Sequence, residues 1–335
     1  MRIFIDESGT FGRARTGPSI SVVGAMILPD YRWKRIQRKW GELRTKLPQL
    51  DGEVKGRLLN EPQIGEVVSL LRSNDALFFA AAIDLSHQSE AAVKAHQMGQ
   101  ARGITNTLEP HHHPSLRNQL QGLRSSLEAL TPQLYVQSAL MFDLIHRALR
   151  DATIYFCQRQ PKELAGFHWE IDAKDKGITK WEKWWTEVVL PILQSKSESD
   201  PWPQLSPPEG NYSFMKRFEV PVPEWARRPP RDREPPTFQQ VAWNTRLILM
   251  EDFRFTSDVT PGLELVDVLV NAVRRALNGR LQPEGFASIS SLMMDRRQSL
   301  HLLTLTKANL RRAAAPYDKI ILKYFKRGGR SILLP

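Results

Sequence analysis

Residues 76–85 (Ala-Leu-Phe-Phe-Ala-Ala-Ala-Ile-Asp-Leu) constrain the fold more than any other stretch. The run is almost continuously apolar, with no alternation of polar and apolar positions. It is far too short to cross a bilayer, which takes roughly 20 residues as a helix. A strand of this kind is buried on both faces, so other elements must cover it from both sides. That requirement points away from a simple sandwich and toward a sheet flanked by helices.

The rest of the chain supplies such elements in a mixed order. Residues 2–5 read as a short strand, and residues 19–28 as a second, antiparallel to it across a Gly-rich turn. A helix is expected over 31–47, where Trp33, Ile36, Trp40 and Leu43 recur at helical spacing. Residues 51–59 form a polar connection with some β character. A further helix over 62–73 has Pro62 at its first position, where a missing N–H is harmless. Residues 87–130 read as mostly helical with a break at 109–114, and 135–150 as a helix built on Leu140, Leu144, Ile145 and Leu149. Residues 167–172 read as a strand ending in Asp172. The helix expected over 179–194 carries Trp181, Trp184, Trp185, Val188 and Ile192 on one face, a stripe that reads as core. Residues 201–236 hold ten of the 23 prolines and read as an irregular insertion. A strand is expected at 247–255 and a helix at 262–277, with Leu263, Val266, Leu269, Val270 and Val273 facing inward. The expected fold is α/β, one mixed central sheet flanked by helices. A main domain would span 1–280, with a helical insertion at 87–132 and a proline-rich insertion at 196–240. A basic helical extension would follow at 281–335.

Composition narrows the function classes. The chain has 335 residues and a single cysteine, Cys157, which excludes an internal disulfide and a cysteine-based zinc site. Together with the absence of a signal-like N-terminus or a membrane-length apolar run, this points to the cytoplasm. Net charge is +11, which favours a polyanionic partner such as nucleic acid. The tail concentrates part of it: Lys307, Arg311, Arg312, Lys319, Lys323, Lys326, Arg327 and Arg330 stand against Asp318 alone. Tyr317, Tyr324 and Phe325 lie among them, suited either to base stacking or to docking the last helix.

Three acids stand out by position. Asp6 and Asp172 each fall where a strand meets a loop, and Asp267 lies inside a helix that is otherwise apolar around it. Two-metal phosphoryl chemistry needs carboxylates from distant parts of the chain to converge, because hard divalent cations take oxygen ligands. A buried carboxylate also demands a partner, whether a metal, a base or water. Each acid has a structural alternative: Asx-turn residues for the first two, a contact with Arg274 or Arg275 for Asp267.

Phe4-Ile5-Asp6-Glu7-Ser8-Gly9-Thr10-Phe11 resembles the opening motif of the domain-of-unknown-function 3800 family, whose members have a ribonuclease-H-like fold. Glu53-Val54-Lys55-Gly56 resembles its acidic-apolar-Lys segment, and Ile171-Asp172 its mid-chain strand. Gly262-Leu263-Glu264-Leu265-Val266-Asp267 resembles its closing segment, usually Gly-Leu-Gln-Leu-Ala-Asp, from which Glu264 and Val266 depart. The resemblance runs in order across residues 3–277. It implies a metal-dependent nuclease whose acidic cluster is Asp6, Glu53, Asp172 and Asp267, using Mg²⁺ or Mn²⁺, with Lys55 contacting phosphate. Glu7, Asp84, Asp175 and Asp258 are reserve ligands; Glu7 should point to the opposite face of the sheet from Asp6.

Two features invite other readings. His111-His112-His113 sits between prolines and reads as a loop, since consecutive histidines cannot all reach one ion. Asp6-Glu7-Ser8-Gly9-Thr10 also resembles the first motif of haloacid-dehalogenase-type phosphatases, but Ser8 replaces the second, proton-donating Asp. A non-catalytic nucleic-acid or protein-binding module on the same fold is the alternative from another class.

Overall fold

The computed structural model describes residues 1–13, 19–173, 184–199, 202–206, 208–222, 241–295, 299–305 and 315–334. Its centre is a six-stranded sheet in the order β10-β5-β2-β1-β6-β9. The strands are β1 (Arg2–Ser8), β2 (Ile20–Leu28), β5 (Leu77–Asp84), β6 (His168–Asp172), β9 (Asp252–Thr256) and β10 (Leu300–Leu302). β2 runs antiparallel to both of its neighbours, and every other pairing is parallel. The C-terminal ends of five strands therefore share one edge of the sheet. In open α/β sheets that edge is where ligands bind.

Every residue of β2 and β5 is buried, as their almost continuously apolar sequences require. Side chains alternate between the two sheet faces. Ile3, Ile5, Val23, Phe79, Trp169 and Ile171 pack on one face against α5 (Pro132–Arg159), through Leu140, Leu144 and Ile145. Phe4, Val22, Met26, Phe78 and Ala80 pack on the other, against α8 (Pro261–Leu277) through Val266, Leu269, Val270 and Val273. α1 (Trp33–Arg44) and α2 (Glu61–Arg72) complete that second layer.

The start of α8 is fixed by its sequence. Thr260 caps it, accepting from the Leu263 N–H at 3.2 Å, and Pro261 fills the first helical position. The same hydroxyl donates to Glu170 on β6 at 3.0 Å, which ties the helix start to the sheet. Gly262 lets the two approach closely, since a Cβ there would lie 2.0 Å from the Phe4 ring.

Several expectations change. β1 continues through Asp6, Glu7 and Ser8 because β2 supplies partners to its end (Asp6 opposite Gly24, Ser8 opposite Val22), so Asp6 lies within the strand. Pro62 is the second residue of α2, whose cap is Asn60 in a reciprocal box with Gln63. The expected polar connection contains a hairpin, β3 (Gln49–Leu50) and β4 (Glu53–Val54). Residues 87–130 form α3 (Glu90–Thr105) and α4 (Pro114–Glu128), broken where expected. The strand expected at 247–255 is instead a short helix, α7 (Thr245–Met250), followed by β9. Asn244 makes the difference by capping α7 through the Leu247 N–H at 2.9 Å.

Within 179–194, residues 179–183 lie outside the described residues. The described part is a π-helical turn, Trp185–Val189, leading into α6 (Leu190–Ser199). Trp184 and Trp185 are core residues; Trp185 stacks on Phe253 with centroids 5.6 Å apart. In the proline-rich stretch, β7 (Glu219–Pro221) pairs with β8 (Val241–Trp243). The last 55 residues are more than a helical extension. They supply β10 to the central sheet, α9 (Pro283–Phe286) beside α2, and α10 (Pro316–Tyr324). No described helix is long and apolar enough to cross a membrane.

Candidate functional site

Asp6 shares the pleat face of Phe4, so its side chain points toward α8 and is buried. The β1–β6 register pairs Ile5 with Ile171. One residue further on, Asp6 and Asp172 stand side by side on neighbouring strands, about 4.8 Å apart at the backbone. Across from them, Asp267 projects from the middle of α8. Asp6 and Asp267 face each other closely enough to share a proton.

The remaining groups come from the hairpin. Leu50 pairs with Glu53 across a two-residue turn, Asp51-Gly52, both in the left-handed region at φ 52° and 79°. Asp-Gly is the favoured sequence for such a turn. Glu53 and Lys55 then project from the same side, two residues apart, and pair at 2.5 Å. The segment is seated on α8 by two carboxylates: Glu264 accepts from the Val54 N–H at 2.9 Å, and Asp267 from the Gly56 N–H at 2.6 Å. Gly56 is needed for this seat, because a Cβ would lie 2.7 Å from the Val268 Cα.

These groups strain one another electrostatically. Burial, then the charges of Asp267 and Asp172, hold the Asp6 carboxyl well above the usual carboxylate range, against a bond from the Glu7 N–H. Burial also raises Asp267, with Glu53 adding to the shift and the Gly56 N–H, Asp6 and Lys55 opposing it. Asp172 keeps an exposed edge, yet it is pushed up to about 6 by partial burial, with Lys55 opposing and Glu7, Glu53 and Asp267 reinforcing. Burial would lower the Lys55 ammonium, but its bond to Glu53 and the fields of Glu53, Asp267 and Asp172 reverse that, leaving it raised.

Four acids singled out from the sequence, Asp6, Glu53, Asp172 and Asp267, are thus brought together, with Lys55 among them. Glu7 points to the opposite face, where the Gln137 amide of α5 donates to it. Asp84 lies at the end of β5, with β2 between it and β1. It accepts from the Ser86 N–H and hydroxyl, the Ser19 N–H and the Tyr317 hydroxyl. Burial alone would raise Asp84, but these bonds hold it below its usual value. Asp258 sits on the exposed loop before α8, and Asp175 lies outside the described residues.

Two neighbours were not anticipated. Asn271, one turn after Asp267, donates to its Oδ1 at 2.5 Å and accepts from Ser8 Oγ at 3.1 Å. The i, i+4 spacing on one helix face was the signal for Asn271. Gln137 had no such signal, because only the packing of α5 on the sheet brings it to Glu7.

Other features resolve into local structure. His111 pairs with Glu109 at 3.2 Å, His112 accepts from the Glu109 N–H, and His113 caps α4. Cys157 is a buried thiol, raised chiefly by burial. In the tail, Tyr317 and Phe325 are buried and Tyr324 packs edge-on against Phe286, so these aromatics dock the last helix. Lys307, Arg311 and Arg312 lie outside the described residues.

No family model, curated protein or solved structure matches the chain. The family likeness therefore rests on the four short segments alone. Among the described residues, no group of three or more His, Cys, Asp or Glu side chains stands in an arrangement that would hold a metal ion as it is.

Proposed function

We propose that the chain is a metal-dependent phosphodiester hydrolase acting on nucleic acid, with Asp6, Asp172 and Asp267 at its centre and Glu53 and Lys55 beside them. The observation that carries the reading is the face-to-face placement of the buried Asp6 and the half-buried Asp267, 261 residues apart, with Asp172 on the adjoining strand. A ribonuclease-H-like fold fits the mixed sheet, in which β1 is central and β2 alone is reversed.

The donor set fits a hard divalent cation such as Mg²⁺ or Mn²⁺. It is made of carboxylate oxygens whose proton affinity burial and mutual repulsion already drive upward, and Lys55 stands beside them. Asp6, Asp172 and Asp267 would hold the ion, with Glu53 adjacent. A bound cation would supply charge neutralisation for an incoming phosphate. Lys55 places an ammonium where a phosphate oxygen can be met. Asn271 and the Gly56 N–H orient Asp267.

The test is cleavage of labelled DNA and RNA, single- and double-stranded, with Mg²⁺ or Mn²⁺. The wild type should cleave at least one substrate, and Asp6→Asn should lower the rate roughly 100-fold or more. A wild type inert on every substrate, or an Asp6→Asn protein as fast as wild type, would end this reading; the former with intact binding would favour a non-catalytic module.

A further inference from the structure

The sequence locates much of the excess positive charge in the tail, but the fold presents a second concentration beside the site. α1 is amphipathic: Trp33, Ile36 and Trp40 are buried, while Lys34, Arg35 and Arg38 face solvent and Lys39 lies at the margin; Lys46, two residues past the end of the helix, is exposed as well. Among the described residues, none of these five cations forms an ion pair or a side-chain hydrogen bond. Glu42 is the one acid of the helix. Five unpaired cations on and just beyond one short helix outweigh Glu42 and leave a positive field, and the chain as a whole is at +11.

The face is also held in place relative to the carboxylates. Trp40 Nε1 and the Arg44 guanidinium both donate to Glu264 at 2.7 Å, and Glu264 lies one helical turn before Asp267. Arg44 further donates to the Gly52 carbonyl at 2.7 Å, in the turn of the hairpin that carries Glu53 and Lys55. The buried face of α1 thus grips the helix and the hairpin that build the site, and the outer face is left open.

We infer that the outer face of α1 is a docking surface for the sugar-phosphate backbone of a nucleic acid, leading it toward Lys55. The spacing suits this partner. Cations four residues apart on a helix are about 6 Å apart along its axis, as are Lys34 and Arg38, and Arg35 and Lys39. Duplex DNA offers one phosphate charge per ~1.7 Å of axis, so several phosphates lie within reach of the row. Lysine and arginine on long stems contact phosphates without reading bases, so the surface would be indifferent to sequence. This inference rests on the proposed function in that both require a polynucleotide, but it concerns binding and not cleavage.

The experiment measures binding by fluorescence anisotropy in EDTA, where cleavage plays no part. The probes are labelled single-stranded DNA, single-stranded RNA and duplex DNA of roughly 20 nucleotides per strand. The test variant is Lys34→Gln, Arg35→Gln, Arg38→Gln and Lys39→Gln together. Glutamine matches lysine and arginine in helix propensity, and unchanged circular dichroism and melting will show that the fold is kept. The control removes the same charge from the tail: Lys319→Gln, Lys323→Gln, Lys326→Gln and Arg327→Gln. The wild type should bind with a steep salt dependence. The α1 variant should bind at least about tenfold more weakly on duplex, with the slope of log K against log salt shallower by about 3 to 4. The tail variant should keep most of the affinity.

Unchanged affinity and slope in the α1 variant overturn the inference, as does loss confined to the tail variant. A wild type that binds none of the probes overturns it too, including the case where it binds vesicles containing anionic phosphatidylserine. Absent cleavage with α1-dependent binding would instead count against the catalytic reading alone, and the surface would stand.

Discussion

Glu264, buried, and Asp267, half-buried, stand three residues apart on α8 and illustrate two opposite uses of an inward-facing carboxylate. Glu264 is 1% exposed and accepts from the Trp40 indole, the Arg44 guanidinium and the Val54 N–H. Its charge is answered, and it clamps α1 and the hairpin to α8. Asp267 also takes two donors, from Gly56 and Asn271, but it faces Asp6 and shares its surroundings with Asp172 and Glu53. Its charge is opposed. A carboxylate with matched donors holds a fold together, whereas a set of carboxylates aimed at one another holds the fold at a penalty that an added cation would relieve.

The comparison makes Glu264 the more fragile site. Glu264→Ala leaves a buried indole N–H and a buried backbone N–H without acceptors and takes from Arg44 its carboxylate partner. Stability should fall by about 3–5 kcal/mol, read as a lower urea midpoint at an unchanged slope. A loss under about 1 kcal/mol would mean that the clamp is dispensable and the two acids are not distinct.

A smaller effect of the opposite sign is expected at Asp172. Its folded pKa, about 6, lies above the ordinary value of 3.8, so the native state favours the protonated form. Stability from this group is therefore greatest below about pH 4 and is lost as pH rises through about 6. Because Asp172 keeps an exposed edge, solvent screening limits the penalty to roughly 1 kcal/mol. In EDTA, Asp172→Asn should be more stable than wild type by that amount at pH 8 and no different at pH 4. Equal stability of the two proteins across the whole range would contradict the crowding of charge described above.

The smallest effect sharpens the role of Lys55. Its charge opposes the upward shift of Asp172 and Asp267. Lys55→Met should raise the Asp172 midpoint above 6, followed by carboxyl NMR titration, with little change in overall stability. A midpoint that stays put would place Lys55 outside the cluster's field.

Much of this was legible in the sequence where local chemistry and tertiary structure agree. The apolar runs of β2 and β5, the Thr260-Pro261 start of α8 and the isolated Asp267 all behave as their patterns require. Legibility failed where partners decide. β1 reaches Ser8 because β2 offers it hydrogen bonds, not because Asp6-Glu7-Ser8 favours a strand. β10 has three residues and exists only as an edge beside β5. Residues 247–250 are apolar enough for either state, and the Asn244 cap settles them as helix. Glu264 was set aside as a departure from a motif, since its three donors come from α1 and the hairpin and only the fold brings them together. The Asp51-Gly52 turn was readable and sets the position of Glu53.

The most direct test of the central claim is thermal unfolding of wild type and Asp6→Asn at pH 8, in EDTA and with Mn²⁺. Without metal, burial and the charges of Asp267 and Asp172 disfavour an ionised Asp6, so Asp6→Asn, which has no charge to bury, should be the more stable protein, by about 1–2 kcal/mol. With saturating Mn²⁺, the wild type should gain stability through binding and overtake the variant, whose own gain is small. A wild type unmoved by Mn²⁺, or a variant that gains as much, would contradict a cation site built on Asp6.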